Sequence, residues 1–515
     1  MPNNIKILWV DDEIDLLKAH LFYLKEKGFE VETATNGQDA LDMIESEFYD
    51  LIFLDENMPG LSGLQTLTKI KEIRPEWPVV MITKSEEENI MEEAIGRKIA
   101  DYLIKPVNPT QILLSIKKNI DKQRLITETT TSTYRSEFGR ISLQINDSFT
   151  FEEWTEVYKK LTYWELELEN GEGTMDEVLQ MQKSEANHAF TKFIKKNYLN
   201  WISGEDTPLM SHMLMKEKIL PLLDKGQKVV YIVIDNFRYD QWDVLKRDIA
   251  SDYITEEESI YCSILPTATQ YARNALFSGL MPLQIKKMFP QYWLDENDEG
   301  SKNQFEEQLM GTFFERFRKP YSHAYRKIND HESGKRMLEQ LSELLTKDIV
   351  AIVFNFVDML SHARTEVKMI KELAANEAAY RSLTSSWFNH STLKELLMKL
   401  KDEDVTVVIT TDHGTIRVQN PIKVIGDKNI SLNLRYKQGK NLNYNPKEVY
   451  EIKDPDIALL PKPNLSTSFI FATNNDFFAY PNNYNHYVSY YKDTFQHGGI
   501  SLEEMLIPFV VLRSK

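Results

Sequence analysis

Six acidic and imidazole side chains in the second half of the sequence have the types and spacing of a metal centre. They fall in the segments VIDNFRYD, NFVDMLSH, TTDHGT and TFQHGGIS, and they are Asp235, Asp358, His362, Asp412, His413 and His497. Zn²⁺ takes mixed imidazole and carboxylate ligands, and catalytic zinc keeps one open position beside three protein ligands. One ion would be held by Asp358, His362 and His497. The other would be held by Asp235, Asp412 and His413, which gives two zinc ions per chain. Mn²⁺ is the alternative metal, and histidine-rich ligation favours zinc.

Thr269 adds a hydroxyl nucleophile to this predicted centre. It stands where a loop becomes the helix TQYARNALF, and a helix N-terminus presents free N–H groups and a positive dipole end to a phosphate. Coordination to a metal lowers the pKa of a hydroxyl. Arg273 and Asn274, about one turn further on, are expected to bind non-bridging phosphoryl oxygens. The chemistry predicted is attack of Thr269 on phosphorus between two metal ions, followed by hydrolysis.

A second acidic cluster is predicted near the N-terminus. Asp11 and Asp12 follow the first apolar run of the chain, and Asp55 ends the third, in LDENMPG. Carboxylates are the oxygen ligands that Mg²⁺ prefers, and the backbone carbonyl of Asn57 could complete its shell. An aspartate in such a site can itself accept a phosphoryl group. We therefore expect Asp55 to be a phosphoacceptor beside a magnesium ion.

Three further residues are expected at the same place. Thr83 ends the fourth apolar run, and Lys105 follows the fifth, which also contains Tyr102. The lysine would neutralise phosphoryl charge, and the threonine would donate a hydrogen bond to a phosphoryl oxygen.

These side chains can meet only if the fold delivers them to one sheet edge. The runs IKILWV, FEVETA, DLIFLD, PVVMIT and ADYLIK alternate with amphipathic stretches, which predicts five βα units and a parallel, flavodoxin-like sheet. From Val229 onward VVYIVID, IVAIVFNFVD and VTVVITTD are apolar runs that each end in aspartate, as buried parallel strands do. Ligands of such sheets bind at the carboxyl ends of the strands.

Three domains are expected from this pattern. Residues 1–122 form the first α/β domain, and residues 207–515 form the second, larger one. Residues 123–206 have few strand signals and are rich in Glu, Lys, Leu and Trp, which predicts a helical linker or bundle.

Bulk composition limits the classes of function. The formal net charge is −17, whereas proteins that coat duplex DNA are usually basic, so no specific duplex DNA partner is expected. The single cysteine, Cys262, allows no disulfide within the chain, which fits a reducing compartment. The sequence has no signal-peptide pattern and no apolar stretch of the length that crosses a membrane. A cytoplasmic protein with no membrane partner is therefore the expectation.

The N-terminal pattern resembles the receiver domains of two-component response regulators over residues 4–122. The resemblance implies phosphorylation of Asp55 by a sensor histidine kinase, with Thr83 and Tyr102 moving together as the switch. It also implies a homodimer that forms on phosphorylation.

The C-terminal pattern resembles the alkaline phosphatase superfamily, and within it the phosphodiesterase branch. That branch carries its nucleophile in the second threonine of Pro-Thr-x-Thr, which Pro266, Thr267, Ala268 and Thr269 match. Residues 208–515 look like its PglZ division, and the whole arrangement resembles the PorX-type regulators associated with type IX secretion. This implies zinc and phosphodiesterase activity on nucleotides or short oligonucleotides. Ala272 departs from the asparagine that nucleotide pyrophosphatases place there.

Other functions remain open at the level of sequence. A phosphomonoesterase uses the same metals, although those branches usually place serine at the nucleophile. The metal domain could instead be a scaffold that docks a partner such as a sigma factor. A sulfatase is disfavoured because the nucleophile segment has no Cys-x-Pro-x-Arg, and a transcription factor because no helix-turn-helix signature is present.

Overall fold

The computed structural model of the chain describes residues 5–75, 77–84, 99–148, 150–169, 175–296, 298–366, 374, 376–426, 431, 433–481 and 483–515. The chain divides into two compact units, Met1–Tyr134 and Arg135–Lys515. In the described part of the chain, no helix combines the length and the apolar character that crossing a membrane requires.

The first unit contains a five-stranded parallel sheet in the order β2-β1-β3-β4-β5. Its strands are β1 (Lys6–Val10), β2 (Glu30–Ala34), β3 (Leu51–Asp55), β4 (Val79–Thr83) and β5 (Asp101–Ile104). The helices are α1 (Lys18–Glu26), preceded by a 3-10 turn at Ile14–Leu17, then α2 (Gly37–Ser46), α3 (Gly63–Ile73) and α4 (Pro109–Asp147). The helix predicted between β4 and β5 falls on residues 85–98, outside the described residues.

Local sequence explains where these elements begin. Asn36 caps α2 by accepting a hydrogen bond from the backbone N–H of Asp39, and Ser62 forms a capping box with Gln65 at the start of α3. The central strands β3 and β4 are buried along their whole length, because helices cover both faces of a parallel sheet. Two apolar cores, one on each face, hold the carboxyl ends of the strands in place.

The second unit is built on a six-stranded sheet in the order β7-β18-β10-β6-β9-β8. These strands are β6 (Val229–Ile234), β7 (Tyr253–Cys262), β8 (His323–Ile328), β9 (Ile349–Phe354), β10 (Thr406–Thr410) and β18 (Leu506–Ser514). Strands β8, β9, β6 and β10 are parallel, whereas β18 runs antiparallel to both β10 and β7. The apolar parts of the three runs that end in aspartate are thus neighbouring parallel strands, as expected, although β9 ends at Phe354, four residues before Asp358.

Helices surround this sheet. They are α5 (Phe151–Leu168), α6 (Asp176–Ser203), α7 (Leu220–Asp224), α8 (Tyr239–Ile249), α9 (Thr269–Ser278), α10 (Pro282–Met288), α11 (Glu306–Arg316), α12 (His331–Glu339), α13 (Leu341–Leu344), α14 (Phe356–Glu366), α15 (Glu377–Asn389), α16 (Thr392–Leu400), α17 (Tyr484–Tyr491) and α18 (Leu502–Met505). Short 3-10 turns lie at Ser211–Met213, Pro290–Tyr292 and Pro455–Ala458, and a π-helical turn lies at Met215–Ile219.

Three small sheets complete the second unit. They pair β11 (Ile416–Arg417) with β17 (Phe495–Gln496), β12 (Asn420–Lys423) with β16 (Asp476–Ala479), and β15 (Ser468–Ala472) with β13 (Tyr436–Gly439) and β14 (Val449–Ile452). The β11–β17 pair ends immediately before His497, so a two-stranded ladder sets the position of a residue that the sequence places far from the other histidines.

The helices of the middle region belong to the same compact unit as the large sheet. Helices α5 and α6 pack on each other through aromatic rings such as Trp154 and Phe190, whose centroids are 5.4 Å apart. Helix α6 also contacts the segment that follows β7, since the Tyr198 hydroxyl accepts a hydrogen bond of 2.8 Å from the backbone N–H of Leu265. The boundary expected at residue 122 lies inside α4.

Candidate metal centre and phosphoacceptor site

The structure brings the six predicted zinc ligands together in two groups of three. The ligand atoms of Asp358, His362 and His497 lie within 4.8 Å of one another, and so do those of a second group, Asp235, Asp412 and His413. The two groups are adjacent, because the imidazole rings of His413 and His497 stack with their centroids 4.3 Å apart. This is the arrangement expected of a two-metal site.

Two of the three aspartates lie within two residues of the ends of their strands, but the third does not. Asp235 comes after β6 and Asp412 follows β10 by two residues. Asp358 instead lies in the first turn of α14, four residues beyond the end of β9. Its carboxylate oxygen Oδ1 is 3.5 Å from His362 Nε2 and 3.6 Å from His497 Nε2.

Backbone contacts fix the tautomers of the two buried histidines. The Nδ1 atom of His413 lies 3.1 Å from the carbonyl of Gly414, and that of His497 lies 3.2 Å from the carbonyl of Thr267. A proton on each Nδ1 leaves the Nε2 lone pair directed at the carboxylates, as metal ligation requires. Burial lowers the pKa of His413, and it lowers the pKa of His497 to about 3, so both rings are neutral.

The carboxylates lack sufficient positive charge from the protein. Burial raises the pKa of Asp235 to about 7, with Asp412 and Asp358 adding to the rise and Arg273 opposing it. Burial also raises the pKa of Asp412, and in the described part of the chain its Oδ2 has no hydrogen-bond partner. A buried carboxylate oxygen without a partner is costly. The residues present therefore fit a pair of bound cations.

Asp358 behaves differently from the other two aspartates. Burial would raise the pKa of its carboxyl, but the hydrogen bond with His362 and the nearby histidine rings hold it well below its usual range. The side chain of His362 is 59% exposed, so this group of three opens to solvent, whereas the group around Asp235 is sealed.

Thr269 lies at the first position of α9 and faces the sealed group. Its Oγ1 is 3.1 Å from His413 Nε2 and 3.3 Å from Asp235 Oδ1. The helix ends at Gly279, whose φ of 63° is the left-handed conformation that a C-terminal glycine commonly adopts.

The two predicted phosphate-binding residues have partners inside the protein. Arg273 is 1% exposed and donates to Asp235 Oδ2 and to Glu306 Oε1, each at 2.5 Å. Asn274 donates to the backbone carbonyls of Gln270 and Lys302 at 2.9 and 3.0 Å. In this arrangement Arg273 orients a metal ligand, and Asn274 ties α9 to the following loop.

Two groups of supporting residues were not found by sequence reasoning. Asn236 follows Asp235 with φ of 63°; its backbone N–H donates to Asp412 Oδ1 at 3.3 Å, and its side-chain amide lies 3.4 Å from Asp358 Oδ1. It thus links both groups of ligands. The signal available in the sequence was an asparagine, which tolerates a positive φ, directly after a strand.

The second supporting element is the short helix α18. The backbone carbonyl of Glu504 accepts a hydrogen bond from Gly414 N at 3.1 Å, and its Oε1 accepts one from Gly499 N at 2.9 Å. A side chain at Gly414 would collide with the carbonyl of Glu503. The loops that carry His413 and His497 are therefore both seated on α18.

Helix α6 of the middle region holds α18 in turn. Asn187 Oδ1 accepts a hydrogen bond from Leu502 N at 2.8 Å, and Asn187 Nδ2 donates to Glu503 Oε2 at 3.1 Å. Lys183 lies 3.4 Å from Glu503 Oε1. The middle helices thus support the loops of the metal centre from behind.

In the first unit, the predicted acidic cluster also comes together. Ligand atoms of Asp11, Asp12 and Asp55 lie within 4.8 Å of one another. Lys105 Nζ is 2.8 Å from Asp11 Oδ2 and 2.9 Å from Asp55 Oδ1. Burial raises the pKa of Asp55, with Lys105 opposing the rise. The three carboxylates and the lysine can accept a hard divalent cation and a phosphoryl group.

The remaining predicted residues lie around this cluster. Thr83 is buried at the end of β4, and its side chain hydrogen-bonds to the partly buried Tyr102 of β5. Asn57 is exposed in the loop after β3.

Comparison with known proteins identifies each part of the chain. Residues 7–117 match the family model of the response regulator receiver domain, residues 124–202 that of the PorX response regulator linker domain, and residues 214–512 that of the BREX system PglZ alkaline phosphatase-like domain.

Individual relatives match the first unit. The transcriptional regulatory protein SrrA of Staphylococcus aureus (strain NCTC 8325 / PS 47) is 34% identical over 112 residues, which are 22% of this chain and 46% of SrrA. The chain thus spans about half the length of the curated relatives it matches.

Two solved receiver domains are also similar. One is a CheY-like protein from Methanospirillum hungatei JF-1, 32% identical, with a TM-score of 0.23 over 23% of this chain and 96% of that one. Another, from Clostridium thermocellum, is 32% identical, with a TM-score of 0.23 over 24% of this chain and 98% of that one.

The predicted fold class is confirmed: an N-terminal receiver with a parallel sheet, a helical middle region and a C-terminal alkaline-phosphatase-like α/β domain. The PorX-type order of receiver, linker and PglZ domain is confirmed as well. Receiver domains bind Mg²⁺ and receive phosphate from histidine kinases, and alkaline-phosphatase-like domains are typically metal-dependent. Because the PglZ family model matches more than half of the chain, the chain belongs to the PglZ family of alkaline-phosphatase-like proteins.

Proposed function

We propose that the protein is a response regulator whose output is a zinc-dependent phosphodiesterase acting on nucleotides or short oligonucleotides. The observation that carries the proposal is the position of Thr269, whose hydroxyl lies within 3.3 Å of ligand atoms in one group of three, beside a second group of the same kind. Two such sites side by side are the arrangement that clamps the attacking and leaving oxygens of a phosphoryl transfer.

The residues of the chain divide the reaction among them. Thr269 Oγ1 loses its proton to solvent and attacks phosphorus, while Asp235 Oδ1, 3.3 Å away and a proposed metal ligand, orients the hydroxyl. The bond from phosphorus to the leaving oxygen breaks as the bond to Thr269 forms, and the departing alkoxide takes a proton from solvent. The rest of the substrate stays joined to Thr269 through a phosphodiester. Water then hydrolyses this ester and restores the hydroxyl. Two bound zinc ions would supply positive charge to the phosphoryl oxygens and lower the pKa of the attacking hydroxyl.

Arg273 has a positioning role in this proposal. Its guanidinium is shared between Asp235 and Glu306 and is buried, so it fixes the orientation of the Asp235 carboxylate. The N-terminus of α9 supports binding of a phosphate, since its first N–H groups and its dipole favour an anion.

Control by phosphorylation is the second part of the proposal. The receiver architecture and the Asp55 cluster support phosphorylation of Asp55 by a sensor histidine kinase, with dimerisation as the response. The resemblance to PorX-type regulators, which are associated with type IX secretion, supports a role in the regulation of that secretion.

A single substitution tests the catalytic proposal. Thr269→Ala removes only the nucleophile, so we expect hydrolysis of bis(p-nitrophenyl) phosphate and of short oligonucleotides to fall by roughly a thousandfold or more. Zinc content should stay at about two per chain. Thr269→Ser keeps a hydroxyl and is the matched control, which should retain measurable turnover. Full activity of the alanine variant would refute the proposed nucleophile.

A further inference from the structure

Lys327 is a cation close to the metal centre that has no ion-pair or hydrogen-bond partner among the residues that the structure describes. It is the penultimate residue of β8, the edge strand of the large sheet, and it is partly buried. Among the described residues, no carboxylate lies within ion-pair distance of its Nζ and no acceptor within hydrogen-bonding distance. A lysine that is partly removed from water without an anion is unfavourable unless something else supplies the negative charge.

Strand geometry places Lys327 on the face of the sheet that carries the nucleophile helix. Side chains two residues apart on a strand share a face, and Tyr325, two residues earlier, donates a hydrogen bond to Glu306. Glu306 pairs with Arg273, which pairs with Asp235. Lys327 therefore lies on the same face as this chain of contacts, but nearer to the carboxyl edge where the metal ligands are.

The strand register gives its lateral distance from the reacting phosphate. Lys327 is opposite Val353 of β9, and Val353 is opposite Val233 of β6, two residues before Asp235. Neighbouring strands are about 4.8 Å apart, so Lys327 is displaced by about 10 Å along the sheet edge from the strand that carries Asp235. Because of this offset, Lys327 lies to one side of the phosphorus atom that Thr269 would attack.

The surface between Lys327 and the strand that carries Asp235 is polar. Asn355 follows β9, and its Nδ2 donates to Asn329 Oδ1 at 2.7 Å. Among the described residues its Oδ1 is buried without a hydrogen-bond partner. Because β9 lies between β8 and β6, the unpartnered amide oxygen of Asn355 belongs to a polar surface that a ligand can complete.

Electrostatics agree with this geometry. Burial lowers the pKa of Lys327, and the nearby Arg273 lowers it further, while Glu306, Asp235 and Asp412 oppose the change. An anionic oxygen beside Nζ would stabilise the charged ammonium.

We propose that Lys327 is a specificity-determining residue that binds a second phosphoryl group of the substrate, two strands away from the phosphate that Thr269 attacks. The inference rests on the proposed phosphodiesterase function and narrows its substrate class. The preferred substrates carry a second phosphate next to the scissile diester, as oligonucleotides and terminally phosphorylated dinucleotides do, and simple diesters with one phosphate are poorer.

Binding to the zinc-loaded full chain tests this without turnover. Adenosine 3′,5′-bisphosphate and adenosine 5′-monophosphate differ by one phosphate, and their affinities can be measured by calorimetry. We expect the bisphosphate to bind wild type roughly tenfold more tightly, as one charge-assisted hydrogen bond provides. Lys327→Met should reduce that preference to within about twofold, and Lys327→Arg should retain most of it.

Arg326→Met is the matched control, because Arg326 is the adjacent cation on β8 and alternation places it on the opposite face. It contacts the Tyr325 carbonyl and Gln340, and its removal should leave the preference unchanged. An undiminished preference in Lys327→Met, or no preference in wild type, would overturn the inference.

Turnover separates this inference from the proposed function. Dinucleotides with a 5′-phosphate, a 3′-phosphate or neither are compared in wild type and Lys327→Met. A phosphate at one of the two ends, 5′ or 3′, should increase kcat/KM in wild type, and this increase should be lost in Lys327→Met. If the bisphosphate preference depends on Lys327 but no dinucleotide is cleaved, the diesterase proposal fails and the phosphate subsite stands. If the dinucleotides are cleaved and a terminal phosphate increases kcat/KM equally in wild type and Lys327→Met, the phosphate subsite at Lys327 fails and the diesterase proposal stands.

Discussion

The protein gathers carboxylates at two sheet edges, and the two edges differ in how their charge is balanced. In the first unit Lys105 lies within 2.9 Å of both buried aspartates, and the third, Asp12, is exposed. In the second unit Arg273 lies 2.5 Å from Asp235 but stays 3.9 Å from Asp412.

This difference suggests two kinds of metal use. An edge that carries its own lysine and opens to water suits a weakly held ion that comes and goes with a phosphoryl group. An edge with two adjacent groups of ligands that is short of positive charge, with neutral imidazoles turned toward it, suits resident ions. The same parallel-sheet geometry therefore serves a transient signal in one unit and proposed catalysis in the other.

The largest expected effect comes from changing one carboxylate to an amide at each edge. Asp412→Asn should lower zinc from about two to about one per chain and abolish diester hydrolysis, because the amide is a poor zinc ligand. Elemental analysis and a bis(p-nitrophenyl) phosphate assay measure this. Asp12→Asn is the matched change in the receiver and should reduce phosphorylation of Asp55 by acetyl phosphate while zinc stays constant. Equal zinc in both variants would contradict the comparison.

An effect of intermediate size is expected when the free energy of unfolding of the metal-free protein is measured as a function of pH. Asp235 has a pKa of about 7 when folded and about 3.9 when unfolded. Between these values the folded state binds more protons, so the contribution of Asp235 to the free energy of unfolding decreases as pH rises from about 4 to 7. Urea denaturation should therefore show lower stability at pH 7.5 than at pH 5 in the zinc-free chain.

Zinc and a substitution provide the controls for this dependence. Bound zinc replaces the proton, so the loaded protein should lose the Asp235 component. Asp235→Asn should lose it too, because the amide does not titrate. A zinc-free Asp235→Asn variant with an unchanged pH dependence would assign the effect to other groups.

The smallest expected effect comes from the contact between α6 and α18, which supports the loops of the metal centre. Asn187→Ala removes two hydrogen bonds to α18 and should lower the free energy of unfolding by about 1–3 kcal/mol, with zinc affinity falling roughly tenfold. Thermal denaturation and competition with a chelator measure the two quantities. Asn197→Ala is the control on the same helix, since within the described part of the chain its amide donates only to the carbonyl of Phe193. If both variants lose zinc affinity equally, α6 has no specific role in placing the histidine loops.

Much of the fold was predictable because it depends on local pattern. Apolar β-branched runs such as residues 229–234 and 406–410 are strands in the structure, and they lie side by side as their aspartate endings suggested. Thr269 begins a helix as expected. These features depend on strand propensity and on the common edge of a parallel sheet, both of which a sequence expresses locally.

Other features depend on partners that are distant in sequence. From the sequence Arg273 is predicted to bind phosphate, but in the structure its guanidinium pairs with Glu306 and Asp235. Asn187 reads as a surface residue of a helix, and only the folded chain brings Leu502 to it. Lys327 looks like an ordinary charge on an edge strand. In each case the decisive fact is the presence or absence of a tertiary neighbour.

Strand β18 has a consequence for how the second unit assembles. It lies between β7, which ends at residue 262, and β10, which ends at residue 410, so the sheet closes only when widely separated segments have met. Such non-local pairing must overcome loop-closure entropy before it gains contacts, and it slows folding. Folding of this unit should thus be rate-limited by closure of the sheet, with His497 delivered to the other ligands in the same late step.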